Sequence, residues 1–476
     1  MISNEQKTVV DWITENDGMA LVSAVAGSGK SYTLVQAAST IPGNCLYLAY
    51  NKSAKLDAEK RFGPNTTCKT IDALAYQYII GQGLSMNGIR AGKRTLDFFN
   101  WRNIDLELRY EEKVKVVDTM NEYFASKYVS LKDFLITYEV QPNVKAAIVH
   151  YVKQMAQKEI PCTFAFSKKY FHILLSRGVI NFPQYKAVFL DELQDSSEVV
   201  LEIFKTIDCK KKIGVGDEHQ SIYGFNYCVN GFNYLHENAD LTLRLTQSYR
   251  CSKEISEKIE IFSRKYLDKD LEFRGIDYDD LTITSKAHIA RTNSSLVSKM
   301  MKLNDRNIAY NLTRPAKEIF GLALTILSLK PGCTIYKPEF KFLLQDMEYY
   351  YRTPSARTQY DTLTKYIASE HSRDRTIKSA ISAIVKYGGQ KIFQAFNIAK
   401  AHEEAKVTHE LTLTTSHASK GLEWDEVFID GDMNPDFLDG TSKMTHEEIE
   451  EELRLIYVAV SRAKIKLENV NWLTTI

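Results

Sequence analysis

Two hydrophobic patterns alternate along the first part of the chain. Short continuous apolar runs, such as MALVS at 19–23 and NCLYLAY at 44–50, are typical of strands that are buried on both faces. Stretches such as SAKLDAEKRF at 53–62 instead space their apolar residues as a helix does. The resulting strand–helix–strand–helix order over residues 1–75 predicts a parallel sheet covered by helices.

The pattern changes character twice further along. Residues 76–180 carry apolar positions at helical spacing and few strand signals, and the sheet pattern resumes at 181. Residues 313–406 are again helical in pattern, and strand-like sequence returns with LTLTTSH at 411. The fold class predicted is therefore α/β, with two parallel-sheet domains that are each interrupted by a mostly helical insertion. We expect the first domain to comprise residues 1–75 and 181–245, its insertion 76–180, the second domain 246–312 and 407–476, and its shorter insertion 313–406.

Length and charge limit the function classes. With 476 residues the chain exceeds the roughly 250–300 at which single cores stop growing, which agrees with more than one domain. Lys and Arg number 61 against 60 Asp and Glu, so any nucleic-acid footprint must be a local basic track. The acidic run at 446–452 is expected to be a solvated helix face.

Cysteine spacing and the apolar runs indicate the compartment. The seven cysteines include no C-x-x-C pair, and no histidine cluster has zinc spacing, so neither a metal cluster nor a disulfide framework is expected. The longest apolar run, 321–329, is far shorter than the ~20 residues that span a bilayer, and the first residues carry no apolar targeting segment. We expect a cytoplasmic, intracellular protein with no membrane partner.

A glycine loop follows the first apolar run and precedes a helix-like stretch. Gly27 and Gly29 allow successive backbone N–H groups to point at phosphates, Lys30 can reach the β and γ oxygens, and Ser31 can offer a hydroxyl to Mg²⁺. The strand and helix on either side make this pattern specific for a nucleoside triphosphate. The predicted phosphate-binding residues are Ala24, Val25, Ala26, Gly27, Ser28, Gly29, Lys30 and Ser31.

A second buried strand ends in carboxylates. Its apolar core at 188–190 is followed at once by Asp191 and Glu192, at the end of a parallel strand where α/β sheets place their ligands. Asp191 is the predicted Mg²⁺ ligand, and Glu192 is predicted to polarise the water that attacks the γ-phosphate. An acidic pair alone is a weak signal, but together with the glycine loop it predicts hydrolysis of a nucleoside triphosphate.

Ten short segments follow one another in a characteristic order along the chain. They are NEQK with Gln6, the phosphate loop, LAYNKSAK at 48–55, TIDALA at 70–75, DELQD at 191–195, VGDEHQSIYGF at 215–225, LTQSYRCS at 245–252, HIARTN at 288–293, TTSHASKGLEWDEVF at 414–428 and EEELRLIYVAVSRAK at 450–464. Together they resemble the superfamily 1 DNA helicases of the UvrD/Rep/PcrA type, which implies two RecA-like motor domains. The wording of several segments is closest to the F-box DNA helicases and their compact phage and bacterial relatives, although no F-box is apparent.

The resemblance implies that ATP is the fuel and that Mg²⁺ is its partner. Gln6 would read the adenine edge, Tyr249 would stack on the base, and Gln220 would sense the γ-phosphate. Arg250 and Arg462 would supply positive charge to the phosphoryl transition state. The implied catalytic residues are Lys30, Glu192, Gln220, Arg250 and Arg462, and Glu423 is also implied at the ATP site.

The resemblance also implies DNA contacts. Asn51, Thr415 and His417 would contact phosphates, with Thr70 nearby, while Tyr50 and Phe225 would stack on bases without reading sequence. Partners would be single-stranded DNA and junctions between single and double strands, with movement in the 3′ to 5′ direction. Three residues depart from the family pattern and put fine DNA contacts in doubt: Asp72 where His is usual, Ser248 where Asn is usual and Asn226 where Arg is usual.

The function expected is an ATP-dependent DNA helicase or single-strand translocase. A competing hypothesis is an ATP-gated DNA-binding or protein-remodelling subunit of a larger repair, replication, recombination or defence complex that separates no duplex by itself. The short second insertion favours that alternative. A small-molecule kinase with the same phosphate loop would leave the second domain unexplained.

Overall fold

The computed structural model describes residues 2–80, 108–180, 182–222, 224, 227–335, 340, 342–371, 375–405, 407–439 and 444–475. Contacts between backbone positions divide the chain into two compact units, Met1–Gln247 and Ser248–Ile476. Each unit is described by itself below. No helix among the described residues is both long enough and apolar enough to cross a membrane.

The first unit is built on a six-stranded sheet in which every strand is parallel to its neighbours. The spatial order is β3-β2-β4-β5-β1-β6. Because a parallel sheet is covered on both faces, its central strands are almost wholly buried, as their apolar runs predict. The strands are β1 (Gly18–Ala24), β2 (Cys45–Ala49), β3 (Thr66–Thr70), β4 (Ala187–Leu190), β5 (Lys211–Gly216) and β6 (Leu241–Leu245).

Alternate residues of β2 enter two different hydrophobic cores, one on each face of this sheet. Leu46 and Leu48 join a large core that extends into the helices between β3 and β4, whereas Tyr47 joins the core beneath the first three helices. The helices are α1 (Asn4–Glu15), α2 (Lys30–Thr40), α3 (Lys52–Arg61), α4 (Ile71–Ile80), α5 (Tyr110–Ala125), α6 (Leu131–Thr137), α7 (Pro142–Ala156), α8 (Phe164–Ser176), α9 (Glu198–Thr206) and α10 (Gly231–Leu235).

The second unit contains a five-stranded parallel sheet and a separate two-stranded sheet. The two-stranded sheet pairs β7 (Gln247–Ser252) with β8 (Arg274–Ile276). The larger sheet has the order β10-β11-β9-β12-β13. Its strands are β9 (Lys286–Ala290), β10 (Asn311–Leu312), β11 (Leu411–Thr415), β12 (Trp424–Ile429) and β13 (Ala463–Glu468).

Helices occupy the described chain between β10 and β11, and their apolar faces share one core with the sheet residues Ala290 and Leu413. The helices of this unit are α11 (Lys253–Tyr266), α12 (Asn293–Asn304), α13 (Ala316–Ile319), α14 (Gly321–Ser328), α15 (Phe342–Arg352), α16 (Pro354–Gln359), α17 (Leu363–Glu370), α18 (Arg375–Tyr387), α19 (Gly389–Ala405), α20 (Ser416–Ser419), α21 (His446–Val460) and α22 (Trp472–Thr475).

The predicted α/β class with two parallel sheets and helical segments between their strands is confirmed. The limits predicted for the two insertions stay predictions, because both segments contain residues outside the described part. The expectation that the acidic run at 446–452 is a solvated helix face is wrong for its last residue. Glu452, at the end of the acidic run, is buried and makes a two-pronged ion pair with Arg291, because α21 turns its later residues toward the sheet.

Candidate nucleotide and DNA sites

The loop between β1 and α2 turns through two glycines. Gly27 and Gly29 have φ values of 76° and 78°, in the left-handed region that strains residues with a side chain. Gly29 also immediately precedes the first turn of α2, so the loop leads directly into the positive end of a helix dipole. The backbone therefore has the bend and the helix N-terminus that a phosphate site needs.

One hydroxyl in this loop tests whether a polyphosphate fits. Ser28 is buried, and within the described part of the chain its Oγ has no hydrogen-bond partner. Because a buried hydroxyl without a partner is costly, a ligand that supplies an acceptor would be favoured there. Ala24, Val25 and Ala26 are buried at the start of the loop, so the small residue Ala24 is accommodated where a glycine is common.

The predicted Mg²⁺ ligands lie near each other at the carboxyl ends of the strands. Asp191 follows β4, and its Oδ2 lies 3.5 Å from Ser31 Oγ. The hydroxyl of Tyr47 donates to the same carboxylate oxygen at 2.5 Å. Since a hydroxyl and a carboxylate are hard oxygen ligands, the pair formed by Ser31 and Asp191 fits Mg²⁺.

Two opposing effects act on the pKa of Asp191. Burial raises this pKa, and the neighbouring charge of Glu192 raises it further. The hydrogen bond from Tyr47 and the positive charge of Lys30 act in the opposite direction, without cancelling the rise. A cation beside Asp191 would therefore favour the ionised carboxylate that its predicted role requires.

Glu192 has an unusual backbone conformation for a residue with a long side chain. Its φ and ψ are 53° and 49°, in the left-handed region, at a cost on the order of ~1 kcal/mol or more. The Glu192 N–H donates to Asp191 Oδ1 at 2.9 Å, and Glu192 Oε2 accepts from Gln194 Nε2 at 2.5 Å. The turn thus directs the two neighbouring carboxylates to different partners.

Gln220 lies in the same region, in a short 3-10 helix after β5. Its Nε2 donates to Asp217 Oδ2 at 2.7 Å. The backbone N–H of Asp217 donates to Gln194 Oε1 at 3.0 Å. The fold thus brings the predicted γ-phosphate sensor and the predicted water-polarising carboxylate into one hydrogen-bond network.

Gln6 lies at the start of α1 and is buried with both ends of its amide engaged. Oε1 accepts from the N–H of Ser3 at 3.1 Å, as part of a capping box, and Nε2 donates to the carbonyl of Ser28 at 3.2 Å. This residue therefore joins α1 to the phosphate loop. Each end of the amide has the capacity for a second hydrogen bond. Reading of an adenine edge by Gln6 stays a prediction.

The DNA contacts predicted in the first unit occupy strand ends. Tyr50 follows β2 and is 40% exposed, while Asn51 caps α3 by accepting from the N–H of Ala54 at 2.8 Å. Thr70 ends β3, and its Oγ1 accepts a hydrogen bond at the start of α4. Tyr50 and Asn51 line a cavity of about 340 Å³. Phe225, the other predicted stacking residue, lies outside the described residues.

Asp72, one of the three departures from the family pattern, lines that same cavity. It forms an ion pair with Lys168 of α8, with 3.1 Å between Lys168 Nζ and Asp72 Oδ1. Both partners are partly exposed, so the pair contributes little to stability. Its consequence is a local one, since a neutralised lysine–carboxylate pair attracts phosphate less than a free cation does.

In the second unit Arg250 and Glu423 are joined. Arg250 Nε lies 2.7 Å from Glu423 Oε2, and Arg250 Nη1 donates to the carbonyl of Ser461 at 3.2 Å. Lys464 Nζ lies 3.1 Å from the other oxygen of Glu423. Burial alone would raise the pKa of Glu423, but the two cations lower it overall. Tyr249, on the same strand as Arg250, is 43% exposed and open to a stacking partner.

Arg462 is deeply buried, with 1% of its surface exposed. Nε donates to the carbonyl of Val458 at 2.8 Å, and Nη2 donates to Ser461 Oγ at 2.9 Å. In this conformation the guanidinium connects the end of α21 to the start of β13. Its predicted contact with a phosphoryl group requires the side chain to exchange these partners, and that role stays a prediction.

Thr415 and His417 lie where β11 leads into α20. Thr415 is buried, and His417 is partly buried. Burial, together with the nearby charge of Arg291, lowers the pKa of His417 to about 4, so its ring is neutral at pH 7. Any phosphate contact from His417 would therefore begin as a neutral hydrogen bond.

The sequence reasoning missed two residues of the first unit. Tyr47 carries a hydroxyl within an apolar strand, and a buried tyrosine hydroxyl usually has a partner, which is a usable signal. Gln194 lies inside the segment DELQD at 191–195, but the sequence pattern predicts no role for it. Their partners, Asp191 for Tyr47 and Glu192 for Gln194, depend on tertiary packing that the sequence pattern does not display.

The parallel sheet, the glycine loop before α2 and the acidic pair after β4 define an α/β protein and match the arrangement predicted for a nucleoside triphosphate site. Comparison of the sequence with known families gives a narrower class. The model of the UvrD-like helicase C-terminal domain matches residues 94–469, and the chain belongs to the UvrD-like helicase family.

Similar proteins include two F-box DNA helicases and the Gabija protein GajB. F-box DNA helicase protein 1 of Schizosaccharomyces pombe is 24% identical over 98% of this chain and 57% of its own length. F-box DNA helicase 1 of Gallus gallus is 23% identical over 97% of this chain and 48% of its own length. The chain thus spans about half the length of these two relatives. The Gabija protein GajB of Bacillus cereus is 22% identical over 96% of this chain and 93% of its own length.

Proposed function

We propose that this protein is a DNA-dependent ATPase that moves along single-stranded DNA and unwinds duplex DNA ahead of it. The observation that carries the proposal is the arrangement at the carboxyl ends of β1 and β4. There the glycine loop leads into Lys30 and Ser31, and Ser31 lies 3.5 Å from Asp191. Membership of a helicase family supports DNA as the substrate. A DNA substrate would place the protein in the cytoplasm or the nucleoid.

The residues of the first unit divide the chemistry of hydrolysis. Ser31 and Asp191 would hold Mg²⁺, which supplies charge neutralisation for the β- and γ-phosphates when bound. Lys30 would place its ammonium on the same oxygens. Glu192 would accept a proton from the attacking water, and Gln220 would orient toward the γ-phosphate.

Other ATP contacts are carried over from the family resemblance. Gln6 would face the adenine edge, and Tyr249 would stack on the base. Arg250 and Arg462 would stabilise the charge of the transferring phosphate, and Glu423 would hold Arg250 until that charge develops. The ion pair between Arg250 and Glu423 at 2.7 Å supports this last role.

The DNA contacts are proposed to combine stacking with neutral hydrogen bonds. Tyr50 and Phe225 would stack on bases, and each such platform contributes roughly 1–3 kcal/mol without reading sequence. Asn51, Thr70, Thr415 and His417 would hydrogen-bond to the backbone of the strand. Because separating one base-pair step costs about 1.4 kcal/mol on average, alternate grip and release can open a duplex.

The test is the steady-state ATPase rate of the full chain without nucleic acid, with single-stranded DNA and with blunt duplex DNA. We expect strong stimulation by single strands alone, and no hydrolysis by Lys30→Ala under any condition. Rates that ignore DNA would contradict the proposal. Wild-type turnover in Lys30→Ala would contradict the assignment of the phosphate site.

Unwinding and direction need a second measurement. Strand displacement should occur on a duplex with a 3′ single-stranded tail and should fail on the matched duplex with a 5′ tail. Equal displacement of both substrates, or displacement of only the 5′-tailed one, would contradict the proposed direction.

A second candidate function is an ATP-gated DNA-binding or remodelling subunit of a larger assembly for repair, recombination or defence. The similarity to GajB over 93% of that protein's length favours it, as does the predicted shortness of the second insertion. Single-strand stimulation of ATPase without strand displacement by the isolated chain would favour this candidate.

A further inference from the structure

The side chain of Gln194 is fully buried, with 0% exposure, and both ends of its amide are engaged. Nε2 donates to Glu192 Oε2 at 2.5 Å, and Oε1 accepts from the N–H of Asp217 at 3.0 Å. The backbone carbonyl of Gln194 accepts from Ser221 Oγ at 3.1 Å. This one residue therefore connects the turn after β4 to the turn after β5.

The space for this amide depends on a glycine. A Cβ added to Gly216, the last residue of β5, would lie 2.2 Å from Gln194 Oε1 and 3.0 Å from the backbone nitrogen of Leu193. Such a contact cannot be accommodated unless the amide or the turn moves. The close approach between β5 and the turn therefore fixes where Gln194 points.

The carboxylate that Gln194 holds belongs to a residue with a strained backbone. Glu192 has φ of 53°, a region that residues with a side chain seldom occupy. The amide N–H of Gln194 donates directly to the Glu192 carboxylate.

We infer that Gln194 is the positioning residue for Glu192 and that it couples Glu192 to the turn that carries Asp217 and Gln220. This inference rests on the proposed function, in which Glu192 accepts the proton of the attacking water. A base must be within hydrogen-bond reach of that proton in the correct direction, and small misplacements reduce rates strongly.

The connection through Asp217 gives Gln194 a second task. Gln220 donates to Asp217 Oδ2 at 2.7 Å, so Gln194, Asp217 and Gln220 form a continuous chain of hydrogen bonds that ends at Glu192. A shift of Gln220 on contact with a γ-phosphate would therefore also move the Gln194 amide, which orients Glu192.

The first experiment uses two substitutions of nearly unchanged size. Gln194→Met removes the whole amide. Gln194→Glu keeps an acceptor for the Asp217 N–H but places a second carboxyl group beside Glu192, which repels Glu192 when ionised and ties it up by sharing a proton when protonated. We expect each to lower the DNA-stimulated kcat by at least 10-fold while KM for ATP changes less than 3-fold. Binding of a fluorescent ATP analogue, measured separately, should stay within 3-fold of wild type.

A double-mutant comparison separates positioning from general structural support. Single-turnover hydrolysis is measured for Glu192→Gln and for Glu192→Gln combined with Gln194→Met. If Gln194 acts through Glu192, the second substitution lowers the residual rate less than 2-fold. A further 10-fold loss in the double variant would overturn the inference, as would a wild-type kcat in Gln194→Met.

Gly216→Ala provides an independent variant in case Gln194→Met fails to fold. Its new Cβ displaces the Gln194 amide or the turn that carries Glu192, so kcat should fall at least 10-fold with ATP binding retained. Gly431→Ala is the matched control, because an added Cβ there meets no heavy atom within 4 Å. Wild-type kcat in folded Gly216→Ala would overturn the inference. An inactive wild-type chain would instead contradict the proposed function.

Discussion

One oxygen of Asp191 is shared by two hydroxyl groups, and this shows how much the site depends on single residues. Tyr47 donates to that oxygen from within β2, and Ser31 approaches it from the start of α2. The ring of Tyr47 is fixed against Phe62, with 4.8 Å between ring centroids. The carboxylate is thus oriented by a residue that the buried core holds in place.

Tyr47→Phe should weaken the response to Mg²⁺. The change removes only the hydroxyl, so Asp191 loses a hydrogen bond to a charged group, an interaction worth about 1.5–3 kcal/mol. We expect the Mg²⁺ concentration for half-maximal ATPase to rise about 3- to 10-fold, with little change at saturating Mg²⁺. Titrating the ATPase rate against free Mg²⁺ checks this.

Tyr350→Phe is the matched control for that prediction. It also removes a buried tyrosine hydroxyl, one that donates to the backbone carbonyl of Tyr360 at 3.1 Å. Equal Mg²⁺ titration curves for wild type and Tyr47→Phe would show that the Tyr47 hydroxyl does not orient the metal ligand.

Arg462→Ala should affect both rate and stability, because the guanidinium is buried and hydrogen-bonded in this structure. Loss of an arginine that stabilises a phosphoryl transition state lowers turnover by roughly 10³ to 10⁵. Loss of its bond to the Val458 carbonyl should also lower the melting temperature. ATPase rate, ATP binding and thermal unfolding are measured together.

The balance among these readouts decides the role of Arg462. If Arg462→Ala retains ATP binding but its ATPase rate falls strongly, the result supports a transition-state role. A lower melting temperature with a normal rate per folded molecule would identify Arg462 as purely structural and would rule out the transition-state role.

At the scale of elements, the sequence predicted most of what apolar patterning controls. β1, β2 and β4 could be predicted because strands buried on both faces are apolar throughout. The glycine loop could be predicted because its left-handed φ values favour glycine. The burial of Arg462 and the amide contacts of Gln194 could not be predicted from the sequence, since each depends on elements that are distant in the chain.

Lys169 on α8 is another feature that patterning could not reveal. Its ammonium is buried, donates to the carbonyls of Ser126 and Tyr128, and lies over the ring of Tyr123. Burial lowers the pKa of Lys169 to about 7, although nearby carboxylates oppose the shift. This lysine therefore holds the turn between α5 and α6 at a cost that depends on pH.

The sign of the pH dependence follows from that lowered pKa. Between about 7 and the ordinary value of 10.5, the unfolded chain binds a proton at Lys169 that the folded chain does not. Stability contributed by Lys169 should therefore rise with pH through this window. We expect the melting temperature of wild type, relative to that of Lys169→Met, to increase from pH 7 to pH 9.5.

An exposed lysine of the same helical segment serves as the control for this prediction. Lys145 on α7 is exposed, and Lys145→Met is the matched replacement of a lysine by methionine. If Lys169→Met behaves in the same way as Lys145→Met, then Lys169 keeps its proton in the folded state and the lowered pKa is wrong.

At the scale of the whole molecule, charge limits how this protein would hold DNA under the proposed function. The formal net charge is +1, and the proposed backbone contacts Asn51, Thr70, Thr415 and His417 are all neutral at pH 7. Counterions are released from DNA when cations neutralise its phosphates, and the single-strand salt slope is about −0.7 for each phosphate neutralised. Neutral contacts and stacking should release few counterions.

We therefore expect a shallow dependence of single-strand affinity on salt. The slope of log binding constant against log salt concentration should be no steeper than about −2, which corresponds to about three neutralised phosphates. Tyr50→Ala should weaken binding by roughly 1–3 kcal/mol at every salt concentration, while Tyr50→Phe, which keeps the ring, should bind as wild type does. Fluorescence anisotropy with a labelled oligonucleotide measures both. A slope steeper than about −4 would show that lysines and arginines outside the proposed set dominate the binding of single strands. A Tyr50→Ala effect that disappears at high salt would contradict stacking by Tyr50, because stacking does not depend on counterion release.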